Sequence, residues 1–113
     1  PMMGIAQSSM DLPVVKHTNA LLALDEKRAK LPESGACIRC GRCIRACPMN
    51  LLPLNLYNNA IRDNIDELKK HHVNDCIECG CCSYVCPAKI NLVQSLRLGK
   101  AKVKQAAMAK GGK

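Results

Sequence analysis

Eight of the nine cysteines stand in two copies of one pattern: Cys37, Cys40, Cys43, Cys47, and then Cys76, Cys79, Cys82, Cys86. Each copy reads C-x2-C-x2-C-x3-C-P, closing on Pro48 or Pro87. This is the bacterial spacing for holding a 4Fe–4S cluster, and its duplication predicts two clusters and an electron path between them. A C-x2-C-x2-C loop wraps the chain around three corners of one cube and turns backbone N–H groups toward its sulfurs, which stabilises the negative charge. Gly41 and Gly80 follow the second cysteine of each copy, where positive φ and close approach favour glycine. The fourth cysteine lies too far along to close the same cube, and in two-cluster ferredoxins it ligates the other cluster. The expected ligand sets are therefore Cys37, Cys40, Cys43 and Cys86 for the first cluster, and Cys76, Cys79, Cys82 and Cys47 for the second.

Other uses of these thiols fit less well. Zinc sites present pairs of C-x2-C rather than triplets followed by C-x3-C-P. A disulfide framework suits a short secreted chain, but nine cysteines is an odd number and no signal peptide is visible. The ninth, Cys81, lies between Cys79 and Cys82 and reads as a small buried loop residue rather than a spare ligand. His71 and His72 read as exposed histidines at a helix end.

The 113 residues are one domain's length and contain no Trp, no Phe and two Tyr, Tyr57 and Tyr84. Such a core is aliphatic and thin, so metal clusters are expected to supply much of the folding energy. Thiolate clusters assemble in reducing compartments, which points to the cytoplasm. No apolar run approaches the roughly 20 residues needed to span a bilayer. The chain opens on Pro1 rather than an initiator Met and reads as a piece of a longer protein. The net charge of +8 is uneven: in residues 76–113 Glu78 is the lone carboxylate side chain among seven lysines and arginines.

The fold class expected is mainly α, a helix-rich two-cluster ferredoxin-like module with a short N-terminal β-hairpin or extended segment from an upstream domain. The hairpin rests on Leu12, Val14 and Val15, a turn at His17–Asn19, and Leu21, Leu22 and Leu24. Residues 1–34 are assigned as the tail of an upstream β-containing domain plus a polar connector. Residues 35–98 form the bicluster domain, and 99–113 a basic helix end with a frayed tail. Between the motifs, Leu54, Tyr57, Ile61, Ile65 and Leu68 recur at helical spacing, so one helix is expected at about 53–70 with an Asp66–Lys70 pair on its surface. After the second motif, Leu92, Leu96 and Val103 predict a helix over about 92–108, with Asn91 as N-cap and a weak point at Gly99. Its lysines and Arg97 form a basic face suited to anionic lipid, to an acidic partner or simply to solvent; nucleic acid is disfavoured, because no stacking aromatics accompany the charge.

A resemblance sharpens this reading. CIRCGRCIRACPMNLLPLNLY and DCIECGCCSYVCPAKINLVQSLRLGKA, together with PMMGIAQ and LPVVKHT upstream, resemble the C subunit of the Rnf electron transport complex over nearly the whole chain. The resemblance implies that the eight motif cysteines ligate the clusters. It further implies a peripheral subunit on the cytoplasmic side of the cell membrane. There it passes electrons among the subunits of an ion-translocating, NADH-linked oxidoreductase complex. FMN and NADH would bind on upstream domains, since no dinucleotide fingerprint is present here; the 113 residues alone are not expected to oxidise NADH. Cys81 stands where that family is expected to carry a small residue such as alanine. The alternatives are a bicluster subunit of another respiratory dehydrogenase, of the succinate or glycolate oxidase kind, and a free soluble ferredoxin. PMMG argues against the first and the basic C-terminus against the second. A purely structural cluster domain sits poorly with two adjacent clusters. Finally, Arg39, Arg42 and Arg45 flank the first motif where Glu78, Cys81 and Tyr84 flank the second. Cations favour the more negative, reduced cluster, so the first is expected to have the higher potential.

Overall fold

The computed structural model describes residue 7 and residues 9–111. Among these the regular structure is helical: α1 Glu26–Ala29, α2 Arg42–Arg45, α3 Pro53–Ile61, α4 Ile65–Lys70, a 3-10 turn at Val73–Asp75, α5 Cys81–Tyr84 and α6 Leu92–Gly111. The helix-rich expectation holds, but the hairpin does not, for no strand occurs among the described residues. A turn does form near the expected place, with Thr18 N–H donating to Val15 O at 2.9 Å and Val15 N–H to Thr18 Oγ1 at 3.0 Å. Its flanks stay irregular because their apolar side chains have nothing to pack on. Leu12, Val14, Val15, Leu21, Leu22 and Leu24 are all exposed, and an isolated hairpin without a buried face is marginal in water.

Helix α6 organises the fold. Leu92, Leu96, Gly99 and Val103 form its buried stripe, at helical spacings of four, three and four. The stripe lies chiefly on α3 and then on α4. Gly99 marks the closest approach: a Cβ built there would stand 3.3 Å from the Ala60 Cβ and 3.4 Å from both Leu68 Cδ atoms. The helix runs unbroken through Gly99, whose missing Cβ leaves room for the side chains of Ala60 and Leu68. Its first turn is tied down by tertiary structure, with Val93 N–H donating to Ser83 Oγ of α5 at 3.0 Å.

The segment between the motifs is two helices rather than one. Asp63 takes φ +56°, and the Asn64 side chain accepts the Glu67 N–H at 3.3 Å, a cap that starts α4 afresh. The break also shifts the buried face. Leu56, Ala60 and Leu68 are fully buried, whereas Ile61 is exposed. Lys70 pairs with Glu67 at 3.3 Å instead of with Asp66. Asp63 then serves as a partner for Lys102 of α6, whose ammonium also reaches Ala60 O at 3.3 Å. His71 caps the end of α4 half-buried, with Nε2 3.4 Å from Glu67, while His72 is exposed.

The interior has two lobes. Leu51, Leu56, Ala60, Leu68, Val73, Leu96 and Val103 form the larger. Cys82, Cys86, Ile90 and Leu92 form the smaller, and Tyr57 packs against both. The cysteine loops sit on these lobes.

Candidate cluster-binding site

The two motifs adopt one conformation twice. Left-handed residues recur at an offset of 39 positions: Arg39 and Glu78 at φ +55° and +57°, Gly41 and Gly80 at +73° and +80°, Asn50 and Lys89 at +52° and +53°. The one-turn helices α2 and α5 are related by the same offset. Gly41 and Gly80 are required for φ alone, since a Cβ at either would meet nothing within 4 Å. At Arg39 and Glu78 the unusual backbone aims an N–H at sulfur: each donates to the cysteine two residues earlier, Cys37 Sγ or Cys76 Sγ, at 3.4 Å. Leu51 N–H reaches Cys47 Sγ at 3.4 Å.

The thiols group across the motifs. Cys37, Cys40, Cys43 and Cys86 line one cavity, with Leu54, Ile90 and Leu92 in its wall. Cys47, Cys76, Cys79 and Cys82 line the other, walled by Leu51, Val93 and Leu96. Each cavity therefore takes three cysteines from one motif and the fourth from the other. Four sulfur donors, backbone N–H groups directed at sulfur and an apolar wall fit a 4Fe–4S cube in each cavity.

Protonation fits the same grouping. Burial pushes the Cys82 thiol up to about 11, partly countered by the Ser83 N–H. Burial also raises Cys43 and Cys76; the charges of Cys86 and Cys37 add to the first, and that of Cys47 to the second. Burial thus favours the protonated form at Cys43, Cys76 and Cys82, and metal binding must displace those protons. Cys81 departs from expectation, being exposed at the start of α5 rather than buried. Its thiol is raised chiefly by a hydrogen bond with Cys79 and by that neighbour's charge.

The sequence reading missed the surroundings of Glu78. Its carboxylate receives Arg97 Nε and Lys100 Nζ, both at 2.8 Å, and Lys100 Nζ also donates to Cys76 O at 3.0 Å. The Lys100 hydrogen bond, with Arg97 beside it, holds the Glu78 carboxyl below its ordinary range. The signal was present: Arg97 and Lys100 lie three apart on one helix, so they can reach a common target. What the sequence could not give was the target.

Comparison with known proteins follows the same lines. Residues 36–90 match the 4Fe-4S dicluster domain family. The C subunit of the Na(+)-translocating ferredoxin:NAD(+) oxidoreductase complex of Acetobacterium woodii is 46% identical over 103 residues, 91% of this chain and 23% of that protein. The C subunit of the proton-translocating ferredoxin:NAD(+) oxidoreductase complex of Clostridium ljungdahlii is 46% identical over 94% of the chain and 23% of that protein. The C subunit of the ion-translocating oxidoreductase complex of Pseudomonas aeruginosa is 47% identical over 93% of the chain and 14% of its own length. Over more than nine tenths of its length the chain is similar to the C subunits of Rnf-type complexes. It spans less than a quarter of the length of these relatives, and its own dicluster match accounts for two 4Fe–4S clusters. No helix among the described residues is long and apolar enough to cross a membrane.

Proposed function

We propose that this chain is the electron-relay module of an Rnf-type C subunit. Cys37, Cys40, Cys43 and Cys86 ligate one 4Fe–4S cluster, and Cys76, Cys79, Cys82 and Cys47 the other. The observation that carries the reading is the crossed membership of the two cavities. When bound, each cluster supplies a one-electron couple. The protein's part is to hold the thiolates, to aim the Arg39, Leu51 and Glu78 N–H groups at sulfur, and to keep water from the inner sides with Leu54, Leu92 and Leu96. Residues 35–98 are the cluster-bearing domain, with α6 continuing out of it through residues 99–111; residues 1–34 lead in from the rest of the subunit. The module works on the cytoplasmic side of the cell membrane, peripherally, among the other subunits of its complex. Its electrons exchange with NADH through a flavin, FMN, held elsewhere in the subunit.

Iron and sulfide analysis should give about eight of each per chain when both cubes are complete. Cys86→Ser should damage the cluster of Cys37, Cys40 and Cys43, read as a change in one of two paramagnetic resonance signals of the reduced protein. Damage confined instead to the cluster of Cys76, Cys79 and Cys82 would refute the crossed assignment.

A further inference from the structure

The two cysteine loops share a backbone but not a surface. Arg39, Arg42 and Arg45 on the first loop are all exposed. None joins an ion pair among the described residues. No carboxylate side chain occurs between Glu33 and Asp63 to neutralise them, and Asp63 is engaged by Lys102. Between the arginines, Ile38 is 68% and Ile44 41% exposed. Cys37 and Cys40 of the same loop are exposed, whereas the cysteines of the second cavity are half-buried or buried. The second loop is also exposed, at Ile77, Cys81 and Tyr84, but it carries no free cation: its equivalents of Arg42 and Arg45 are Cys81 and Tyr84, and that of Arg39 is Glu78, clamped to α6 by Arg97 and Lys100.

Electron transfer between proteins needs the close approach of two centres, so a partner must sit where the thiols come nearest to the surface. An acid-free ring of arginines around a small apolar patch steers and seats a carboxylate-rich face. It suits a bilayer less well, because the patch offers two isoleucines on a loop and a single helical turn rather than a long apolar helix face.

We propose that Arg39, Arg42 and Arg45, with Ile38 and Ile44, form the seat for the acidic face of a one-electron transfer protein, and that electrons cross between molecules on the Cys37–Cys40 side. This rests on the ligand assignment proposed above. The step is outer-sphere: the partner's centre loses one electron and the site gains one, with no bond made or broken and no proton moved.

The test uses the full-length, cluster-loaded subunit and its Arg39→Gln/Arg42→Gln/Arg45→Gln variant. The probe is an acidic two-cluster ferredoxin, reduced beforehand and mixed anaerobically in a stopped-flow instrument; its binding is followed separately by fluorescence anisotropy. For the unaltered protein the second-order rate should fall about tenfold or more from low to moderate salt. In the variant the low-salt rate and the binding should fall by about the same factor, and the salt dependence should flatten. Reduced methyl viologen, which needs no seat, should react equally with both proteins. Lys104→Gln, on the exposed side of α6, should leave the ferredoxin rate unchanged. An unchanged rate and salt dependence in the triple variant would overturn the proposal. So would arginine-dependent binding to phosphatidylglycerol vesicles with unaltered ferredoxin kinetics, which would make the seat a lipid site. If the triple variant fails to load iron, the unaltered protein decides: a salt-independent ferredoxin rate overturns the proposal. Failure of the underlying reading looks different, since low iron in the unaltered protein, or no reaction with viologen, removes both the ligand assignment and the seat built on it.

Discussion

Glu78 shows how one contact can weaken an electrostatic argument. From the sequence, a carboxylate beside the second motif opposes reduction there, and the first cluster should have the higher potential. In the structure that carboxylate is bound by Arg97 and Lys100, so the local charge beside the second cavity is positive rather than negative. The contrast with the arginine-flanked first loop is correspondingly smaller. Lys100→Met should lower the potential of the Cys76 cluster, because the reduced and more negative state loses a neighbouring cation. Glu78→Gln should raise it. Each shift is on the order of 1 kcal/mol, or roughly 40 mV for one electron, at the effective dielectric of a protein surface. A redox titration that finds both variants at the unaltered potential would show that solvent screens the cluster from this trio.

At the scale of elements, α6 is the part most exposed to single changes. Gly99→Ala offers about 1 kcal/mol of helix propensity, yet its methyl would press on the Ala60 Cβ, which is fixed to the backbone of α3. Overpacking of this kind costs about 1–3 kcal/mol, so the substitution should lower the midpoint of anaerobic thermal unfolding. A raised midpoint would mean that α6 moves outward at little cost. The helix itself was legible because Leu92, Leu96 and Val103 keep strict period. The meaning of Gly99 was not, since a glycine in a periodic run reads as a weak point until the facing helix is known. The break at Asp63–Asn64 was legible in principle: Asn64 with Glu67 three residues on is a capping pattern, but the apolar spacing across it read as one helix. The cysteine grouping could be argued from spacing alone, because metal-ligand geometry leaves few solutions. The N-terminal apolar residues misled, since alternation predicts a strand only where another surface receives it.

For the molecule as a whole, the buried set is small and aliphatic, and the two cavities lie against both of its lobes. Removing the clusters anaerobically with a chelator should abolish cooperative unfolding, because ligand binding and folding are coupled in such domains. A sharp transition in the metal-free chain would show that Leu56, Leu68 and Leu96 suffice alone. The cluster-loaded chain should exchange single electrons with small dyes yet leave NADH unoxidised, because hydride chemistry needs a two-electron acceptor such as flavin. Prompt bleaching of its visible spectrum by NADH, in a flavin-free preparation, would overturn that division of labour.

The exchange of one cysteine between the two cavities has a consequence for biogenesis. With the ligands proposed, a nascent chain that has emerged only as far as Cys47 can complete neither site, for the first would still lack Cys86 and the second would have only its borrowed thiol. Assembly must wait for the whole segment, and thereafter each half vouches for the other. With the ligands proposed, oxidative loss at one centre unbinds a cysteine that also restrains the loop around its neighbour, so the surviving centre should become more labile. A chain that has lost one cluster should therefore shed the other faster than an intact chain does, which marks damaged protein for quality control.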